Sequence, residues 1–200
     1  IRDRYMLDRW ENQPNYVEVW VEKDALIGIV SQICRELDVP HFSCRGYTSQ
    51  SEMWSAAQRF IRQNHRESRT IIHLGDHDPS GIDMTRDIQE RMDMFGADVY
   101  VKRVALTMEQ IEKFSPPPNP TKLSDARASG YIEEYGHECW ELDALEPKVI
   151  TSLIRDEVTA LCDSDLLYEI EHREETDKTN IKLISQHYER VVDFIHSEVV

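Results

Sequence analysis

Three acidic residues stand where acids can act together. Asp76 and Asp78 lie one residue apart within TIIHLGDHDPSGIDM, Thr70 to Met84, and Glu22 follows the β-rich run Tyr16–Val21. Ile71-Ile72-His73-Leu74 is a short apolar run of the kind that forms a buried strand, and Gly75 opens the backbone after it. Pro79-Ser80-Gly81 is a turn and a helix entry, and Ile82, Thr85, Ile88, Met92 and Phe95 then recur at helical spacing. Carboxylates at the end of a strand, just before a helix, occupy the place where open α/β sheets build their sites. Acids this close repel one another and lose hydration; a divalent cation relieves both, and hard oxygen ligands suit Mg²⁺. The ordinary explanation of such a pair is an acidic turn with Asp78 or Ser80 capping the helix. Glu22 tips the balance, because in a parallel sheet its strand end lies on the same edge.

The elements that must position these residues are legible as alternating strands and helices. Strand Tyr16–Val21 leads through Asp24, a helix cap by type, into a helix with Leu26, Ile29, Val30, Ile33 and Leu37 on one face. A short strand spans Val39–Cys44. A helix follows whose apolar side is Met53, Trp54, Ala57, Phe60 and Ile61; Arg59, Arg62, His65, Arg66 and Arg69 make a basic patch, which reads first as a solvated face. The strand at 71–74, its helix and a strand over Val99–Ala105 complete a mostly parallel four-stranded sheet with helices on both faces, an α/β fold. Thr107-Met-Glu-Gln110 is a capping-box pattern opening a helix to about Phe114. A proline-rich connection fills Ser115–Ser129, a helical turn 131–136 and an edge strand 138–142. Glu146–Leu161 is an amphipathic helix, Asp163–Asp177 is an acidic stretch, and Ile181–Val199 is a last helix. The division expected is a linker or the end of a preceding domain over 1–15, the sheet domain over 16–145 and a C-terminal helical extension over 146–200.

The net charge of −15 is uneven, with 17 acids against 12 bases in residues 1–100 and 21 against 11 in 101–200. That excludes a chain that holds nucleic acid by its overall field, though not one with a local basic groove or a helper domain. No apolar run approaches membrane-spanning length and no signal-peptide pattern is present, so no membrane partner and a cytoplasmic location are expected. Cys34, Cys44, Cys139 and Cys162 lack C-x-x-C spacing and read as reduced cysteines of a cytosolic protein.

A glutamate ending one strand and a D-x-D ending a later one resemble the Toprim domain, the Rossmann-like fold of topoisomerases, primases and OLD-type nucleases. More narrowly, Val21-Glu22-Lys23, Arg45-Gly46-Tyr47 and Asp76-His77-Asp78-Pro79-Ser80-Gly81 resemble the topoisomerase VI A subunit and its meiotic double-strand-break relatives. The likeness continues through Leu106–Lys113, the proline-rich loop and Trp140–Leu145, and so covers roughly residues 16–150. It implies Mg²⁺ held by Glu22, Asp76 and Asp78, with Glu22 doubling as general acid/base, in a nucleoid-associated type IIB-like enzyme that cleaves DNA and forms a homodimer. Lys23 and Arg45, and further out Lys122 and Arg127, are then the phosphate contacts.

The departures are specific. The family's attacking tyrosine sits in a winged-helix domain well upstream, whereas only 21 residues precede Glu22, so that domain is expected outside this chain. The loop reads Gly46-Tyr47-Thr48 where the family has proline third, and His77 fills the middle of D-x-D, its ring expected on the opposite face. Glu141 and Asp143 are either a salt-bridged edge or an outer metal ligand. Two other functions stay open: a self-sufficient OLD-type metal nuclease, with water in place of tyrosine, and a non-catalytic Toprim-shaped binding or dimerisation module. A HAD-type phosphatase fits poorly, because its aspartates follow the first strand.

Overall fold

The computed structural model describes residues 2–44 and 48–198. The chain divides into two compact units, one spanning Pro14–Cys162 and the other joining the residues up to Gln13 with those from Asp163 onward.

The first unit is α/β and Rossmann-like. Four parallel strands, β1 (Asn15–Val21), β2 (His41–Ser43), β3 (Ser68–Leu74) and β4 (Tyr100–Ala105), lie in the order β2-β1-β3-β4. The β-branched runs Val17–Val21 and Thr70–Leu74 are buried throughout, as expected of central parallel strands covered on both faces. Helices α1 (Ile27–Glu36) and α6 (Pro147–Ala160) pack together, α1 on β1 and α6 on β4, through Val30 and Ile33 of α1 and Ile150, Ile154 and Val158 of α6. On the other face α2 (Gln50–Ile61) and α3 (Pro79–Met94) close a core of Trp20, Met53, Phe60, Ile71, Met84, Ile88 and Met92. Each such side chain contributes roughly 1.5–3 kcal/mol by leaving water. Ser49 and Glu52 form a capping box at the start of α2, and Thr107 and Gln110 form one at α4 (Met108–Phe114). Beyond α4, β5 (Asn119–Pro120) pairs antiparallel with β6 (Glu138–Cys139), with α5 (Ala128–Tyr135) between them.

Several expectations change. The buried residues of α2 are Met53, Ala56, Ala57 and Phe60, and Trp54 is 53% exposed. Asp24 does not cap α1, whose N-cap Leu26 makes no side-chain bond; Asp24 accepts instead from the Ser43 hydroxyl. Arg59 leaves the basic patch for Glu18, which is 1% exposed on β1. Glu18 accepts two bonds from the Arg59 guanidinium, one from the Tyr16 hydroxyl and one from the Trp20 indole. Arg69 pairs with Asp98. Helix α6 belongs to the sheet unit, so the boundary falls after Cys162 where 145 was expected. Cys34 and Cys44 are buried, and all four cysteines are free thiols.

In the second unit the acidic stretch is helical. It opens α7 (Ser164–Gln186), capped by Asp163, and α8 (Tyr188–Glu198) follows. Its acids receive the N-terminal segment: the Tyr5 hydroxyl donates to Asp177 at 2.7 Å, the Leu7 amide donates to Glu174 at 2.8 Å, and Gln13 and Asp163 exchange two bonds. Among the described residues, no helix is long and apolar enough to cross a membrane.

Candidate active site

β1 and β3 are neighbours in register, Val21 beside Leu74, so the chain leaves both strands at one point. The strand order reverses there, since β2 lies on one side of β1 and β3 on the other, and such crevices are where open sheets bind ligands. The Glu22 amide donates to Leu74 O at 2.9 Å, and Glu22 Oε2 accepts from the Asp76 amide at 3.1 Å. Gly75 makes this approach feasible: a Cβ there would stand 2.8 Å from Glu22 Oε2.

Asp76 is 9% exposed, and its Oδ1 accepts from the Leu142 amide at 2.7 Å with Lys23 Nζ at 3.5 Å. Asp78 caps α3, its Oδ1 accepting from the Gly81 amide at 2.7 Å. The second oxygen of each of the three acids accepts no hydrogen bond from the described residues. Their chemistry suits a hard cation, but they are turned toward the protein's own donors. Among the described residues, no three His, Cys, Asp or Glu side chains are gathered as a metal-holding group.

Electrostatics mark Glu22. Burial, then the charges of Asp76 and Asp78, push its carboxyl up to about 7, against the Asp76 amide and Arg103, which pull it down. Burial also raises Asp76. The folded protein holds the Glu22 proton to about pH 7 while the unfolded chain releases it near 4.5, so stability falls as pH rises through that window. Glu22→Gln is therefore expected to exceed wild type by about 2 kcal/mol near pH 8, after allowance for partial exposure, and to match it below about pH 4. Urea unfolding at the two pH values checks this; equal differences at both would remove the burial account.

The cations expected on phosphate are placed differently. Lys23 donates to Glu141 at 2.7 Å and Asp143 at 2.8 Å, so that acidic pair is a salt-bridged edge and the ammonium is held inside it. Arg127 pairs with Asp125 and Asp83. Lys122 is exposed and lines a groove of about 310 Å³ with Asp78, Pro120 and Trp140. Arg45, with Gly46 and Tyr47, lies outside the described residues.

His77 turns to an aromatic cluster. Its Nδ1 lies 2.8 Å from the Tyr131 hydroxyl, its ring meets Tyr131, Tyr135 and Trp140 edge-on, and its backbone exchanges two bonds with Trp140. These contacts tie α5 and the segment after β6 to the D-x-D. Arg103 escaped the sequence analysis: it is a partly buried cation on β4, beside His73 in the register. The available signal was a charged residue inside the apolar run Val99–Ala105, a pattern that Lys102 shares. Comparison of the chain with family models, with curated proteins and with solved structures finds no match.

Proposed function

We propose that the edge formed by Glu22, Asp76 and Asp78 is a Mg²⁺-assisted, Toprim-type phosphodiester site. On this proposal it belongs to a DNA-cleaving protein similar to the topoisomerase VI A subunit, whose tyrosine nucleophile comes from a domain outside this chain. The observation that carries the proposal is the 3.1 Å bond from the Asp76 main-chain amide to Glu22 Oε2, which seats the Glu22 carboxylate against the segment that bears the two aspartates. Three carboxylates, each with an oxygen that accepts no hydrogen bond from the described residues, are a donor set that hard divalent ions accept. The ion, when bound, would supply stabilisation of charge on the phosphoryl oxygens.

The chain's own residues do the rest. Glu22 holds or releases a proton near neutrality, as a general acid or base beside a phosphodiester requires. The Leu142 amide orients Asp76, and Asp78 anchors the first turn of α3. Lys122, which lines the adjoining groove, would follow a strand backbone on this reading.

Calorimetric titration with MgCl₂ is expected to show binding in the millimolar range that weakens at least about tenfold in Asp76→Ala. Unchanged binding in that variant would overturn the proposal. The neutral-range Glu22 also favours a second reading, an OLD-type nuclease in which this residue activates water. Metal-dependent nicking of plasmid DNA by the chain alone, lost in Glu22→Ala, selects it; intact plasmid selects the first.

A further inference from the structure

β4 sends one long side chain beneath the carboxylate edge. A guanidinium has five N–H donors, and every donor of Arg103 has a partner. Nε donates to Leu106 O at 3.3 Å, Nη1 to Gly81 O at 2.8 Å and Thr85 Oγ1 at 3.1 Å, and Nη2 to Gly75 O at 3.0 Å and to Asp76 O. No donor goes to a carboxylate oxygen and none is left for a substrate, so Arg103 is not built to touch phosphate. Its partners bracket the D-x-D from both sides: Gly75 and Asp76 before Asp78, and Gly81 and Thr85 after it. The charge is nonetheless close to the acids, because the Cβ position at Gly75 lies 3.3 Å from Arg103 Nη1 and 2.8 Å from Glu22 Oε2.

We propose that Arg103 is the positioning residue of this site. Its planar fork holds residues 75–85 in the shape that brings Asp76 and Asp78 to Glu22, and its partly buried charge offsets three acids without bonding to any of their carboxylates. Lysine cannot take its place, since an ammonium keeps the charge but offers three donors and no plane. The inference deepens the metal-site reading and rests on it for its functional meaning, while the local geometry can be tested without it.

The test uses the full chain as wild type, Arg103→Lys and Arg103→Met, with Ile150→Val as a distant control for general loss of stability. Amide hydrogen exchange is read at Asp76, whose N–H bonds Glu22, and at Gly81, whose N–H bonds Asp78; Mn²⁺ affinity is read in parallel. In Arg103→Lys, exchange at both amides is expected to rise at least about tenfold beyond the control, with Mn²⁺ bound about tenfold more weakly. Exchange no faster than the control would overturn the proposal. So would wild-type affinity in Arg103→Lys with tighter binding in Arg103→Met, the pattern of a bare counter-charge. If wild type binds no Mn²⁺, the metal reading falls by itself and the exchange data still decide the role of Arg103. If Arg103→Lys does not fold, Thr85→Val removes one acceptor and leaves the charge. Exchange at Gly81 about threefold faster is then expected, and no change would count against the proposal.

Discussion

Replacing Arg59 with methionine is expected to lower the stability of the sheet unit by about 3–5 kcal/mol, the cost of leaving a buried carboxylate without its cation. Glu18 is 1% exposed, and Arg59 supplies two of its four hydrogen bonds, at 2.9 and 3.0 Å. Tyr16 and Trp20 supply the others, and neutral donors cannot offset a full charge in that interior. A second substitution, Glu18→Gln in the Arg59→Met background, removes the stranded charge and is expected to recover more than half of the loss. Urea unfolding of the four proteins in this cycle measures both effects. A cost under about 1 kcal/mol would mean that solvent reaches Glu18 and that the pair behaves as a surface bridge.

Gly81→Ala is expected to cost about 3 kcal/mol or more, because the added carbon meets main chain that cannot turn aside. A Cβ at Gly81 would stand 2.2 Å from Asp76 O and 3.0 Å from its carbonyl carbon. Relief requires the first turn of α3 to move away from Asp76, which would separate the two aspartates. Mg²⁺ binding should therefore be lost along with stability. Gly130→Ala in α5 is the control: nothing lies within 4 Å of its added carbon, so it should be neutral or stabilising by about 0.5–1 kcal/mol. Thermal melts that place the two variants together would show that the contact at Gly81 relaxes freely.

The carboxylate edge was legible because its ingredients are local. The Val17–Val21 run, the apolar strand before Gly75 and the 3.6-residue spacing of Ile88 and Met92 each signal their element within a short window, and parallel pairing then aligns the strand ends. What stayed hidden are pairs far apart in sequence. Lys23 reads as a phosphate ligand until its bonds to Glu141 and Asp143, 118 and 120 residues away, are seen. Arg59 reads as a solvated charge until Glu18 appears across 41 residues. Arg103 has five partners and no periodicity to announce them. In α7 the apolar face is short, with Leu166 and Leu167 half-buried and Ile170 buried, and further along the helix Glu174 and Asp177 accept bonds from Leu7 and Tyr5, contacts that no apolar periodicity announces. Trp54 shares helical spacing with Ala57 and Ile61, but the face that is buried is the neighbouring one, Met53, Ala56, Ala57 and Phe60.

Because the Tyr5 and Asp177 partners are 172 residues apart, the helical unit has an order of assembly built into it. On a ribosome, β1 through α6 can emerge and collapse into the sheet unit while residues 2–13 still have nothing to bind. At typical elongation rates that wait lasts on the order of ten seconds. Residues 2–13 are thus exposed from their own emergence until α7 follows, and a protease pulse in that interval should cut there, sparing the same peptide once α7 has closed over it.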